Sequence, residues 1–128
     1  MALTKGIHHV AIKTENSEEY EKTVSFYRDL LGMPVYKDWK TGVMLDIGGG
    51  SRMEIMNSGS PQLPQGVLRH IAFETDDVDA CIAAVRGAGC VITDEPHDVV
   101  IQAEKPYPLR VAFCIGPAGE EIEFFKEI

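Results

Sequence analysis

One pattern appears twice in this chain. His9-Val10-Ala11-Ile12-Lys13-Thr14-Glu15-Asn16 returns in the second half as His70-Ile71-Ala72-Phe73-Glu74-Thr75-Asp76-Asp77. His, Ala and Thr recur unchanged, and only Lys13 against Glu74 changes character. A second echo pairs Met53-Glu54-Ile55-Met56 with Ile122-Glu123-Phe124-Phe125 at a somewhat longer offset. The second copy therefore carries extra residues between its His and its Glu, placed between Asp94 and Arg110. Self-similarity on this scale constrains the architecture before any element is assigned. The chain reads as one domain, 1–128, made of two similar modules: about 5–57, a linker of about 58–67, and 68–128.

Each module shows the same order of elements. Ile7 to Lys13 reads as a strand, with Val10 and Ile12 on one face and His9, Ala11 and Lys13 on the other. Asn16 and Ser17 are helix N-cap residues, and Tyr20, Val24, Tyr27, Leu30 and Leu31 follow at helical spacing up to Gly32. Strands are expected at Met33–Tyr36, Val43–Ile47 and Arg52–Met56, with Gly48-Gly49-Gly50 as a hairpin turn. That glycine run lacks the following helix and Lys-Ser/Thr of a phosphate loop. In the second module Leu68–Thr75 is a strand, Asp76 or Asp77 caps a helix to about Arg86, and Gly87 and Gly89 stop it. Cys90–Thr93, Arg110–Ile115 and Glu121–Lys126 are strands, and Gly116-Pro117-Ala118-Gly119 turns the chain. Asp94 to Pro108 reads as a loop with a short strand near Val99 to Gln102.

The repeated polar residues are the candidate site. His9 shares its strand face with Ala11, His70 with Ala72, Glu54 with Met56 and Glu123 with Phe125. A lone strand His is more often a surface or hydrogen-bonded residue, and His8 and His97 read that way. A lone strand Glu is more often salt-bridged. Four such residues at matched positions, flanked by apolar side chains, point elsewhere. Buried carboxylates need a partner or a metal. Two imidazoles and two carboxylates make an N/O donor set for a divalent first-row ion.

Charge and composition remove other classes. The net charge of −8 argues against a nucleic-acid or anionic membrane partner. No run of apolar residues is long enough to span a bilayer, and the residues after Lys5 do not form a signal peptide. Cys81, Cys90 and Cys114 are odd in number, lack CxxC spacing and read as buried core thiols, so the expected location is a reducing cytoplasm.

These residues, with Phe26-Tyr27-Arg28-Asp29-Leu30-Leu31-Gly32-Met33, resemble the vicinal oxygen chelate superfamily, which includes glyoxalase I, over nearly the whole chain. The resemblance implies an α+β fold of paired βαβββ modules forming an open cupped mixed sheet. It implies a divalent metal held by His9, Glu54, His70 and Glu123, with Ni, Co or Zn favoured and Mn or Fe open. It implies a homodimer, since module pairing in small members often occurs between chains. Keeping both carboxylates favours the glyoxalase I and epimerase group: a lyase or isomerase moving a proton on the carbon beside an oxygen polarised by the metal. Glu123 is the first choice for the base and Glu54 the second.

The match departs from glyoxalase I at the glutathione contacts. Lys13 stands where an Arg is common, and Ser58 where an Asn is common. A small carbonyl or hemithioacetal therefore remains the expected substrate, with another acid, a coenzyme A thioester or another thiol adduct open. Two other readings stand beside this one. A dioxygenase or thiol transferase would use His9, His70 and Glu123, and a metal-free drug-binding protein would use the cleft alone. Trp39 and Tyr107 read first as ordinary loop packing and second as pocket residues.

Overall fold

The duplication is repeated in the hydrogen bonding of the computed structural model, which describes residues 2–30, 32–57, 66–116 and 120–128. Most of the expected linker and of the turn after Gly116 lies outside them. The elements are β1 (Thr4–Thr14), α1 (Ser17–Ser25), a π-helical turn (Phe26–Leu30), β2 (Val35–Trp39), β3 (Gly42–Gly48) and β4 (Ser51–Asn57). The second series is β5 (Leu68–Thr75), α2 (Val78–Gly87), β6 (Val91–Ile101), β7 (Tyr107–Ile115) and β8 (Glu121–Glu127). The chain divides into two compact units, His9–Arg69 and Met1–His8 with His70–Ile128, so the division falls inside β1.

In the first unit the strand order is β2-β3-β4-β1, with β1 and β4 parallel and the other neighbours antiparallel. In the second it is β5-β8-β7-β6, with β5 and β8 parallel and the others antiparallel. Both helices begin the same way. Asn16 Oδ1 accepts from the Glu19 amide at 2.9 Å, and Asp77 Oδ1 accepts from the Ala80 amide at 2.9 Å. Asn16 and Asp77 are separated by the same offset as His9 and His70, so the duplicated pattern includes the caps.

Each unit has its own core on the helix-bearing face. Val24, Val43, Leu45 and Ile55 are buried together, with Ile12, Met53 and Tyr27 packed on them. Val78, Cys81, Ile82, Ala112, Cys114 and Phe124 form the second core, with Phe73 and Ile122 beside it. The apolar faces assigned from alternation are thus the core faces, which leaves the opposite faces for His and Glu. Gly48, Gly49 and Gly50 all have positive φ (103°, 62° and 81°), a conformation L side chains resist, and they join β3 to β4 as the expected hairpin turn.

Several expectations need correction. The helix after Asn16 does not run regularly to Gly32. It widens at Phe26 into the π turn, whose i to i+5 spacing takes later residues off a 3.6-residue stripe, and Leu30 is 71% exposed. Asp94 to Val99, expected as loop, is strand: β6 runs unbroken from Val91 to Ile101, with register shifts around Asp94 and His97, and takes in most of the short strand expected near Val99 to Gln102, while residues 102–106 do stay outside the strands. It is the outer strand of its sheet, where charges and Pro96 are tolerated, and its polar composition hid it. β1 also starts earlier than expected, at Thr4. Cys81 and Cys114 are buried as expected, and burial pushes both thiols above their ordinary pKa, but Cys90 is partly exposed. Among the described residues no helix is long and apolar enough to cross a membrane.

Candidate metal centre

Parallel pairing of the first and last strands in each unit sets the position of each His against its Glu. In the first unit Ala11 lies opposite Glu54. His9, two residues earlier on the same face, brings its Nε2 to 3.4 Å from Glu54 Oε1. In the second unit Ala72 lies opposite Glu123, and His70 Nε2 is 3.0 Å from Glu123 Oε1. The register is the same in both. Ala11 and Ala72 are fully buried, and with no side chain beyond Cβ they leave the imidazole room to meet the carboxylate.

Both pairs are withdrawn from water. His9 is 1% exposed and Glu123 6%. The side chains of His70 and Glu54 are 9% and 13% exposed. The Phe113 ring meets His70 edge-on at 5.3 Å between centroids, and Glu121 Oε1 stands 3.7 Å from His70 Nδ1. These are nitrogen and oxygen donors in low-dielectric surroundings, the chemistry that suits a divalent first-row ion. Imidazole beside carboxylate is also the arrangement that fixes which ring nitrogen is free to bind. The donor set in each unit therefore has the chemistry of ligands for such an ion.

The remaining candidates are placed differently. Lys13 lines a cleft of about 590 Å³ in the first unit, together with Ile12, Thr14, Asn16, Tyr27 and Val67. The described lining of that cleft includes none of the four His and Glu residues, so volume and donor chemistry mark different places. An ion needs ligands rather than space, so the His and Glu residues and not the cleft mark the candidate centre. Ser58 lies outside the described residues. His97 is exposed, with Nδ1 2.8 Å from the Glu95 carbonyl oxygen, as its sequence context suggested.

His8 is hydrogen-bonded rather than exposed. It is fully buried, its Nε2 lies 2.8 Å from Glu127 Oε2, and Tyr107 donates to that same oxygen at 2.6 Å. Tyr107 is thus a core residue at the start of β7. Sequence reasoning missed Glu127 and Arg69. Arg69 precedes His70 as His8 precedes His9, and that adjacency was the available signal.

Residues 6–124 match the family described as "Glyoxalase/Bleomycin resistance protein/Dioxygenase superfamily". The chain belongs to this superfamily. Among curated proteins it is similar to the uncharacterized protein YaeR of Escherichia coli (strain K12), 28% identical over 139 residues, covering 96% of this chain and 97% of that one. Among solved structures of the superfamily fold, it is similar to a Streptomyces coelicolor methylmalonyl-CoA epimerase in complex with 2-nitronate-propionyl-CoA. That match has 25% identity and a TM-score of 0.73, covering 96% and 97% of the two chains. A Mn(II)-bound glyoxalase from Novosphingobium aromaticivorans gives a TM-score of 0.74 at 18% identity, covering 98% of this chain and 40% of that one. The expected fold class, paired βαβββ modules of the glyoxalase/bleomycin resistance/dioxygenase type, is therefore the fold of this chain.

Proposed function

We propose that the protein is a divalent-metal-dependent lyase or isomerase of glyoxalase I type, acting on a small carbonyl compound such as a hemithioacetal or thioester. The observation that carries this reading is the repeated His–Glu pair: His9 with Glu54 and His70 with Glu123, in matched registers on parallel strands. His9, Glu54, His70 and Glu123 are read as ligands for a divalent ion, Ni, Co or Zn in preference to Mn or Fe. When bound, the ion acts as a Lewis acid toward a substrate oxygen and acidifies the neighbouring C–H.

The protein's own residues do the rest. His9 and His70 orient the donor set and carry no net charge when they ligate as neutral imidazoles. Glu123, 6% exposed, is the general base: its carboxylate takes the proton from carbon and returns it, to the same or the neighbouring carbon. Low solvation favours this role, because a carboxylate stripped of water is a stronger base. Glu54, farther from its own His, is the second carboxylate and balances the charge of the ion. Phe113, edge-on to His70, and the buried Ala72 keep water from the His70–Glu123 pair. The reading includes a homodimer in the cytoplasm, with no nucleic-acid or membrane partner.

One experiment tests the chemistry. The metal-loaded protein is incubated in D₂O with the hemithioacetal of methylglyoxal and glutathione, and separately with methylmalonyl-CoA. Exchange of the C–H proton is followed by NMR. Exchange on either compound that disappears in Glu123→Gln is the expected result. Exchange that persists undiminished in that variant removes Glu123 from the role of base. Oxygen uptake with catechols and no exchange would instead favour a dioxygenase, in which Glu54 is dispensable.

A further inference from the structure

We infer that Arg52, with Lys37 and Tyr36 beside it, forms an oxyanion-binding site on the sheet face that carries the His9–Glu54 pair, and that a charged group of the substrate is held there. The place of this site in catalysis rests on the function proposed above. The site itself rests on strand register and side-chain contacts within the first unit alone.

Pairing fixes which residues share that face. Residues opposite each other on neighbouring strands point to the same side of the sheet, and so do residues two apart on one strand. Ala11 lies opposite Glu54, and His9 opposite Arg52. Across β3 and β4, Met44 lies opposite Glu54 and Asp46 opposite Arg52. Lys37 on β2 lies opposite Met44. His9, Lys37, Arg52 and Glu54 are therefore on one face, and the core residues Val43, Leu45 and Ile55 are on the other. Arg52 stands two residues from Glu54 along β4, roughly 7 Å between Cα atoms.

Tyr36 holds the guanidinium in place. The register of β2 against β3 shifts between Val35 and Lys37, and Tyr36 is the residue at the shift. An irregularity of this kind re-aims a side chain. Arg52 Cζ lies over the Tyr36 ring, 4.4 Å from its centroid, and Lys37 Nζ lies over the same ring at 5.4 Å. All three residues are partly exposed, so a molecule in solution can reach them. One cation on the ring would be enough to pin β2 to β4. A second cation adds repulsion that such a pin does not need, and an anion beside the ring offsets it. The chain carries a net charge of −8 and repels anionic molecules at a distance, so a local pair of cations is what seats one. Asp46 Oδ1 accepts from the Gly48 amide at 2.8 Å, which commits that oxygen to the β3–β4 turn. Arg52 Nη1 reaches the Gly50 carbonyl oxygen only at 3.4 Å. A guanidinium stacks on an aromatic face without using its N–H donors, and two of them together match the oxygens of a carboxylate or phosphoryl group. The substrate class that follows is a small carbonyl compound carrying such a group.

The test follows backbone amide shifts by NMR. The protein as purified, and again after chelator treatment, is titrated with sodium propionate, inorganic phosphate and the neutral propionamide. Saturable shifts at Tyr36, Lys37 and Arg52 with either anion, and not with the amide, are the expected result. Propionate alone assigns a carboxylate, phosphate alone a phosphoryl group, and both together an oxyanion of either kind. Affinity should fall about tenfold or more in Arg52→Gln, that is about 1.4 kcal/mol, and by less in Lys37→Gln. Tyr36→Leu keeps both charges without the ring and should weaken binding several-fold. No saturable shift with either anion overturns the proposal, as does equal affinity in parent and Arg52→Gln, or an amide that binds as tightly as the anions. Circular dichroism reports folding, and if Arg52→Gln does not fold, Tyr36→Leu decides by the same criterion. On either compound that exchanges in D₂O, Arg52→Gln should raise KM about tenfold, and an unchanged KM removes the site from the substrate. Elemental analysis of the same samples separates the two readings. Arg52-dependent anion binding in a protein that takes up no metal sinks the metal centre and leaves the anion site standing. Metal uptake without such binding does the reverse.

Discussion

Glu123→Gln separates what a buried carboxylate does for the fold from what it does for a metal. Glu123 is 6% exposed, on β8, and its Oε1 lies 3.0 Å from His70 Nε2. Gln keeps the shape and an oxygen acceptor for His70 while removing the negative charge. Without metal the variant should differ from the parent by no more than about 1 kcal/mol, the net worth of one neutral hydrogen bond. The sign is open to either side, because relieving a buried charge offsets the weaker contact.

With metal the two should diverge. At a free ion concentration about 100 times the parent Kd, binding stabilises the parent by about 2.7 kcal/mol. Losing an outer partner of a metal ligand typically costs about 10–100-fold in affinity, and losing a charged ligand itself should cost at least about 100-fold. Such a loss leaves the variant with only about 0.4 kcal/mol of metal-induced stabilisation at the same concentration. Urea denaturation with chelator and with each of Ni, Co and Zn measures both quantities. A variant that loses several kcal/mol without metal, or that keeps the full metal-induced gain, refutes the argument. The first result would make Glu123 a purely structural residue, and the second would exclude it from the ligand set.

Other outcomes follow from the same structure. Asn16→Ala and Asp77→Ala each remove a cap that accepts from the third helical amide, and each should lower stability by about 1 kcal/mol, by similar amounts and additively, in urea melts. Glu54→Ala should abolish isomerase-type exchange if two carboxylates are needed; full turnover in that variant would favour chemistry with two His and one Glu. The Asp79 carboxyl is held below its ordinary pKa of 3.8 first by its hydrogen bond from Arg110. Its contribution is therefore complete above about that pH and is lost as the pH falls through the lower folded value. NMR titration of Asp79 should show its pKa rising in Arg110→Gln; an unchanged value would show that the ion pair does not act on it.

Much of the fold was legible because it is duplicated. The longer repeat carries not only His9 and His70 but the buried Thr14 and Thr75 and the capping Asn16 and Asp77, so one alignment of the chain with itself placed two strands and two helix starts. The His–Glu pairs were legible for the same reason. The π turn was not, because FYRDL has an ordinary helical composition and its widening arises from how the backbone leaves α1. β6 was not, because an outer strand needs no continuous apolar face and Asp94, Glu95, Pro96 and His97 look like a loop. The His8–Glu127–Tyr107 contact was not, because residues separated by 119 and 99 positions share no local pattern.

That last contact bears on when the second unit can form. Residues 1–8 belong to it, and they are tied to residues far along the chain: Leu3 to Thr75, and His8 to Glu127. Non-local pairing of this kind carries the loop-closure cost before any reward and slows folding. On the ribosome His8 is made well before Glu127 and must wait until that residue has been added. A nascent chain can complete its first module while the residues that close the second are still unmade. Chains cut short of Glu127 should therefore leave His8 unanswered and the second module unfinished.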